Sequence, residues 1–451
     1  MTNQRQIVRE RVAVARARTL TMKSHDNINK PISTVGLSLL NIFGGLIFGY
    51  NTGVIAGVLQ VDEWKSMSQI DLGFLTCSIL LGAMIGSLAA GIITERLGRR
   101  RPLFVVGILT LIGAIGSSLV PTNLWYVSAF RLVLGLGVGA SAIICPLYVG
   151  EMAPPEKKGQ LGTLFQIAIT VGILIGDIIG FGFLHVQYNY RWMFGFGALP
   201  GILLFGLLFS IPESTVWREK KSAMKNTQLL LNKDPTNDVG IGALLSRKDG
   251  RFALFMGCIL AINNQLTGIN AFMYFSPKIF EKAGISSNNG QMIATISLVA
   301  WNAITTFIST LFVDRLGRRK LTLYSSIVMT VSCLLLALMF LLFNGTTLGV
   351  LSIILLFVFI AGFESGVGPL FWIMAIEIFP PECKDVGSSL LNALQWIFNI
   401  ALSFSFLSLV TLIGQSAIFW IFGGIGVVCL IVMYFLLPET NHKDYQEIKN
   451  T

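Results

Sequence analysis

Charge is scarce in this chain of 451 residues: Asp, Glu, Lys and Arg together make up 12% of it, against about 25% in soluble domains. Hydrophobic residues make up 53%, far more than one aqueous core could hide, so a water-soluble globular protein is excluded and an integral membrane protein is implied. Histidine is almost missing. His25, His185 and His442 lie far apart, so no cluster is available to hold a metal or serve as a catalytic base, and each reads as a solvated loop residue. The six cysteines (Cys77, Cys145, Cys258, Cys333, Cys383 and Cys429) show neither close pairing nor metal spacing; most fall in apolar stretches, where a thiol acts as a small apolar residue. No disulfide framework, metal or cofactor is expected. No nucleophile–base set is present either, which disfavours an enzyme. Residues 1–30 lack a hydrophobic run and so form no signal peptide; they read as a disordered basic arm or as sequence ahead of a later start at Met22, with a membrane-surface helix as the alternative.

What the chain has is membrane-length apolar stretches. At about 20 residues per crossing, twelve candidates emerge: 34–60, 70–94, 102–121, 123–149, 160–184, 190–212, 251–282, 290–313, 320–343, 348–378, 385–410 and 414–437. An even number puts both termini on one side. The net charge of +10 is mostly topology, because 28 of the 33 Lys and Arg fall in loops and termini of that same side, the bias that keeps such segments cytoplasmic. A nucleic-acid partner is therefore not expected. Loops on the other side are tiny, and the sequon Asn344-Gly345-Thr346 lies too close to the membrane to be glycosylated.

Two segments are near copies. Glu95-Arg96-Leu97-Gly98-Arg99-Arg100-Arg101 and Asp314-Arg315-Leu316-Gly317-Arg318-Arg319-Lys320 lie 219 residues apart, each ending a long apolar stretch. A repeat at half the chain length implies two homologous membrane bundles and hence a transporter. The expected organisation is a basic arm over 1–33, a six-helix bundle over 34–212, a cytoplasmic linker with short helices over 213–250, a second bundle over 251–437 and a tail over 438–451. Gly135, Gly137, Gly139, Gly172, Gly176 and Gly180 read as close helix packing. Gly268, Gly366, Gly368 and Pro369 are placed to break helices beside a cavity.

Further motifs follow in order: Gly49-Tyr50-Asn51-Thr52-Gly53; Tyr148-Val149-Gly150-Glu151-Met152-Ala153-Pro154; Pro212-Glu213-Ser214; Gln265-Leu266-Thr267-Gly268-Ile269-Asn270; Gly368-Pro369-Leu370-Phe371-Trp372 with Glu377-Ile378-Phe379-Pro380; and Pro438-Glu439-Thr440. Together with the two Arg-rich loops, their order over about 400 residues closely resembles the sugar porter family of the major facilitator superfamily. The resemblance implies an all-α membrane protein with the major facilitator fold, twelve transmembrane helices in two pseudo-symmetric six-helix bundles, and a central sugar site open alternately to either face.

The residues themselves agree. A neutral sugar needs hydroxyl partners and an aromatic face, so its site should show amides and tryptophans at membrane depth, where an idle amide is costly. Within the spans lie Gln166, Asn264, Gln265, Asn270, Asn302, Gln395 and Asn399, with Trp372 and Trp396. By resemblance Gln166, Gln265, Asn270, Asn302, Trp372 and Asn399 match sugar-contacting positions, as does Asn264, where relatives commonly carry Gln. The competing reading is interhelical hydrogen-bond glue, strongest for Gln395. Glu364 matches a family glutamate near the sugar and inner gate, or is a structural acid within its own bundle. Tyr274 and Phe275 fall where relatives place outer-gate aromatics, with core packing as the alternative. Glu95, Arg99, Arg100, Glu151, Asp314, Arg318, Arg319 and Glu377 recur at matching places in the two halves, which suits ion pairs holding the cytoplasmic side shut.

Many proton-coupled sugar porters carry Asp after Gly-Tyr in the first span. Here the residue is Asn51, as in the facilitative glucose carriers, and an amide takes up no proton in this pH range. Facilitative uniport of a hexose, glucose foremost, is the expectation. Asp177, an acid within the fifth span where relatives more often have an uncharged residue, keeps open a proton symporter of a hexose, pentose or polyol. A sugar sensor is the reading from another class. The expected partners are a small-molecule sugar and the bilayer of a cell membrane, with a monomer the simplest state.

Overall fold

The computed structural model describes residues 33–154, 157–219, 221–222, 241–310, 317–380 and 383–440. The basic arm, the middle of the linker, Asp314 and the tail beyond Thr440 lie outside the described residues. Twelve helices are long and apolar enough to cross a membrane: α1 Thr34–Val58, α2 Gln69–Leu97, α3 Arg100–Leu119, α4 Leu124–Met152, α5 Gln160–Phe183, α6 Asn189–Leu207, α7 Lys248–Lys282, α8 Asn288–Thr310, α9 Arg318–Leu342, α10 Gly345–Ala375, α11 Val386–Ile413 and α12 Gln415–Leu436. Each corresponds to one of the twelve expected stretches. With all backbone groups paired inside their own segment, helices are the form such stretches must take in lipid.

Local chemistry sets the ends. Ser33, Ser68 and Asn123 accept from backbone N–H groups in the first turns of α1, α2 and α4, satisfying donors that have no partner within the helix. Gly98 (φ 89°) and Gly317 (φ 83°) turn the chain at matching places in the two copies of the Arg-rich loop. Around the outside, Val105, Ile108, Ile112, Ile115 and Leu119 of α3 recur at helical spacing and stay exposed, a surface suited to lipid rather than water.

Among the described residues four of the spans are interrupted, α6 by a short 3-10 turn at Phe196–Ala198. α1 breaks at Val54, α7 runs Lys248–Gln265 then Ile269–Lys282, and α10 breaks at Gly366. At Gly268 the φ of 105° is open to glycine at little cost, and a side chain there would press on the Phe422 and Phe272 rings. The breaks at Gly268 and Gly366 are those the glycine pattern predicts.

Helices pack mainly within each half. One tight seam joins α1 to α5, where Gly45, Gly49, Gly53 and Gly57 meet Ala168, Ile169, Ile173 and Gly180 with no room for a side chain. Between the halves α2 packs on α11, α5 on α8, and the second part of α7 on α1. The core is correspondingly divided between a large cluster through most of the molecule and a smaller one around Leu370, Phe371 and Met374 of α10.

Candidate functional site

Four amides from α7 and α11 form one chain of hydrogen bonds. Gln265 Nε2 and Gln395 Nε2 each donate to Asn264 Oδ1 at 2.9 Å, and Asn270 Nδ2 donates to Gln265 Oε1 across the α7 break. Asn264 Nδ2 in turn donates to the Val367 carbonyl (3.1 Å), just past the break in α10. Asn264, Gln265 and Gln395 are buried and Asn270 half-buried, while Gln395 Oε1 has no partner in the protein. Interrupted helices thus leave backbone carbonyls that side-chain amides engage, and the chain ends in unused hydrogen-bonding capacity.

The other expected site residues fall into separate groups. Asn302 Nδ2 lies 3.3 Å from Met273 Sδ, and its Oδ1 accepts from Thr306 Oγ1, whose hydroxyl also reaches the Glu364 carboxyl. Asn399 accepts from Ser403 Oγ (3.1 Å) and bonds to the Tyr274 hydroxyl. Trp396, buried on α11, meets Phe48 of α1 with ring centroids 5.6 Å apart, so it bridges the halves. Trp372 is half-buried and edge-on to Phe371, and Gln166 is half-buried on α5.

The two outer-gate candidates separate. Tyr274 is buried and within electrostatic reach of Arg131 of α4 in the other half. Phe275 instead stacks on Phe406 (5.3 Å, 13° between planes), which stacks on Phe422, a packing column inside the second half.

The charged residues form two copies of one arrangement. In the first half Arg99 makes a two-pronged bond to Glu151 (Nε to Oε2 2.9 Å), Ser214 Oγ donates to Glu151 Oε2, and the backbone N–H groups of Arg99 and Arg100 donate to the Glu213 carboxylate. In the second, Arg318 pairs with Glu377 at 3.6 Å, Thr440 Oγ1 donates to Glu377 Oε2, and the N–H groups of Arg318 and Arg319 donate to Glu439. Arg100 Nε and Arg319 Nη2 reach the last carbonyls of α6 and α12, at Leu208 and Tyr434. Every one of these bonds closes within one half in this conformation. Glu95 is exposed, and its backbone carbonyl accepts from the Trp217 indole. Glu213, Ser214, Glu439 and Thr440 sit in motifs visible in the sequence, yet their role as caps for the first turns of α3 and α9 needed the fold.

Two bonds between the halves lie at the opposite face. Lys65 Nζ donates to Asn288 Oδ1 and His185 Nε2 lies against Asn289 Oδ1, both at 3.1 Å. His185 is thus an exposed loop residue, as its isolation suggests, with a partner the sequence did not show.

Three polar residues sit deep in the first half. Asn51 Nδ2 donates to the carbonyls of Ile47 (2.9 Å) and Gly197 (3.3 Å), tying α1 to α6. Arg131, missed in the sequence although its apolar surroundings Phe130 and Leu132 flag it, is fully buried; Nε donates to the Leu75 carbonyl and the guanidinium lies 5.2 Å from the Phe194 ring. Asp177 is fully buried on α5, and neither carboxyl oxygen has a hydrogen-bond partner.

Comparison with known proteins matches this arrangement. Residues 37–451 fit the model of the family described as "Sugar (and other) transporter". The putative metabolite transport protein YwtG of Bacillus subtilis (strain 168) is 33% identical over 93% of this chain and 95% of its own length. The D-xylose transporter of Levilactobacillus brevis is 31% identical over 94% and 96%, and the galactose-proton symporter of Escherichia coli (strain K12) is 30% identical over 95% and 96%. Among solved structures, the E. coli xylose transporter XylE in a partially occluded inward-open conformation matches with a TM-score of 0.75 and 26% identity, covering 91% of this chain and 99% of that one. With a family model spanning its twelve helices and relatives alike along nearly their whole length, the chain belongs to the sugar transporter family and is a sugar porter of the major facilitator superfamily, not an enzyme.

Proposed function

We propose that this carrier moves a pentose or hexose across the cell membrane together with a proton. The observation that carries the sugar half of the reading is the amide chain Asn270–Gln265–Asn264–Gln395, a line of donors and acceptors at membrane depth that ends in the unpartnered Gln395 Oε1. Asn302, Asn399 and Gln166 add polar groups outside that chain, Thr306 links Asn302 to Glu364, and Trp372 and Trp396 supply aromatic faces. Tyr274 closes the site at its outer end. Positive-inside bias puts both termini, the linker over 213–250 and the Arg-rich face in the cytoplasm. The bundles over 34–212 and 251–437 rock about the site, with the intra-half charge clusters keeping each bundle rigid as it moves.

Asn51 by itself favours a glucose uniporter. Relatives at 30–31% identity over more than nine-tenths of this chain are named as proton symporters of galactose and of arabinose, and that weighs toward symport. Counterflow of labelled xylose, arabinose, galactose and glucose in proteoliposomes tests the substrate class. Uphill accumulation under an imposed inward proton gradient tests coupling; its absence, with counterflow intact, returns the reading to uniport.

A further inference from the structure

If transport is proton-coupled, as proposed above, some side chain must carry the proton, and Asn51 cannot. Its amide has no acidic hydrogen in this pH range, and its nitrogen is engaged by the Ile47 and Gly197 carbonyls. Two carboxyls lie buried at membrane depth, Asp177 and Glu364. Glu364 is in contact with the Thr306 hydroxyl, whereas Asp177 has no partner on either oxygen.

The surroundings of Asp177 are as informative as its isolation. It shares a face of α5 with Ile173 and Gly180, and these two meet Gly53 and Gly57 on either side of the break in α1 at Val54. That break begins three residues after Asn51. α5 also packs against α8 of the other half, with Gly180 close to Met292. A carboxyl on a helix at the boundary between the halves changes its access to water as the halves rock, which a coupling group requires.

Among the described residues no cation is bonded to it. α1 and α8 carry no charged residue. Of the titratable groups at membrane depth on the other helices packed against α5, Arg131 donates through Nε to the Leu75 carbonyl and lies over Phe194, with neither terminal nitrogen bonded to Asp177, while Tyr190 meets Thr122, Arg191 lies over Tyr188 and Tyr190, and Cys145 packs against Gly44. Tyr50 of α1 donates to the Met193 carbonyl. A lone carboxylate is costly inside a membrane, and the neutral carboxyl is not.

We propose that Asp177 is the proton-binding residue of this carrier. In the outward-open state a proton from the external water bonds to a carboxylate oxygen of Asp177. Sugar loading and rocking carry the neutral carboxyl inward. In the inward-open state the O–H bond breaks, the proton leaves to the cytoplasm, and the carboxylate resets. One proton crosses with each sugar.

The test compares wild type, Asp177→Asn and Asp177→Glu in proteoliposomes, each measured for counterflow at equal pH and for accumulation under an inward gradient of about one pH unit. Wild type should accumulate sugar up to about tenfold, the limit for one proton per sugar. Asp177→Asn should keep counterflow and lose accumulation, and Asp177→Glu should recover part of it. Accumulation by Asp177→Asn like that of wild type overturns the assignment while leaving symport standing. Loss of counterflow in both variants assigns Asp177 to packing and also overturns it. Failure of wild type itself to accumulate, with counterflow intact, removes symport and the proposal with it.

Discussion

Asn264 is the hub of the amide chain, and its replacement gives the sharpest test of whether that chain is a sugar site or interhelical glue. Asn264→Ala removes the acceptor shared by Gln265 and Gln395 and the donor to the Val367 carbonyl, three bonds in all. Each is worth about 0.5–1.5 kcal/mol net, and water entering from the opened site recovers part of the loss. A combined loss of about 1.5–3 kcal/mol in stability is expected, with a fall in sugar affinity of up to roughly 10- to 150-fold if binding requires the amide line to be preformed. Gln395→Ala removes one bond and should cost about two- to tenfold. Because Gln265 and Asn264 act through the same oxygen, the double variant Asn264→Ala/Gln265→Ala should fall short of the sum by about 0.5–1.5 kcal/mol. Calorimetric titration of the purified protein with its transported sugar measures the affinities, and thermal unfolding without sugar separates binding from stability. Sugar affinity like that of wild type in Asn264→Ala, with a lowered melting temperature, would refute the reasoning and make the amides glue between α7, α10 and α11.

Other outcomes follow from the geometry. Trp372→Ala should depress transport far more than Trp372→Phe, since the second keeps an aromatic face; equal losses in uptake assays would assign Trp372 to packing against Phe371. Glu213→Ala and Glu439→Ala should each destabilise the protein by about 1–2 kcal/mol, because each strands backbone donors at the start of α3 or α9; unchanged unfolding midpoints in both would dismiss the caps. Asn288→Ala/Asn289→Ala deletes two bonds made between the halves at the face away from the Arg-rich loops, so molecules open to that face should gain by about 1–3 kcal/mol, read as faster labelling of a cysteine in the site from that side. Labelling at the wild-type rate would sink that strap.

Much of the architecture was legible in the sequence because lipid imposes a simple rule on it. A stretch of about 20 apolar residues must pair its backbone internally, so the helices could be counted without knowing their neighbours, and the half-length repeat revealed the symmetry of the halves. The breaks at Gly268 and Gly366 could be read for the same local reason, since glycine permits the bend and a freed carbonyl needs a partner. The amides could be nominated singly because an unpaired polar group in the membrane is expensive wherever it sits.

Tertiary structure decided who meets whom. Charge and spacing could pair Arg99 with an acid in general terms, but that Glu151 lies in its own half, with Glu213 across the turn and Thr440 repeating the role of Ser214, depends on how α2, α4 and the ends of α6 and α12 converge. Tyr274 and Phe275 are neighbours in sequence with the same chemistry on offer, and only the roll of the second part of α7 brings one within electrostatic reach of Arg131 and the other into the Phe406 column. His185 gained a partner 104 residues away. Burial of single helices in lipid follows from composition, which is a sum over nearby residues; the partner of a given side chain follows from helix rotation and crossing, which are set by contacts hundreds of residues apart in the chain.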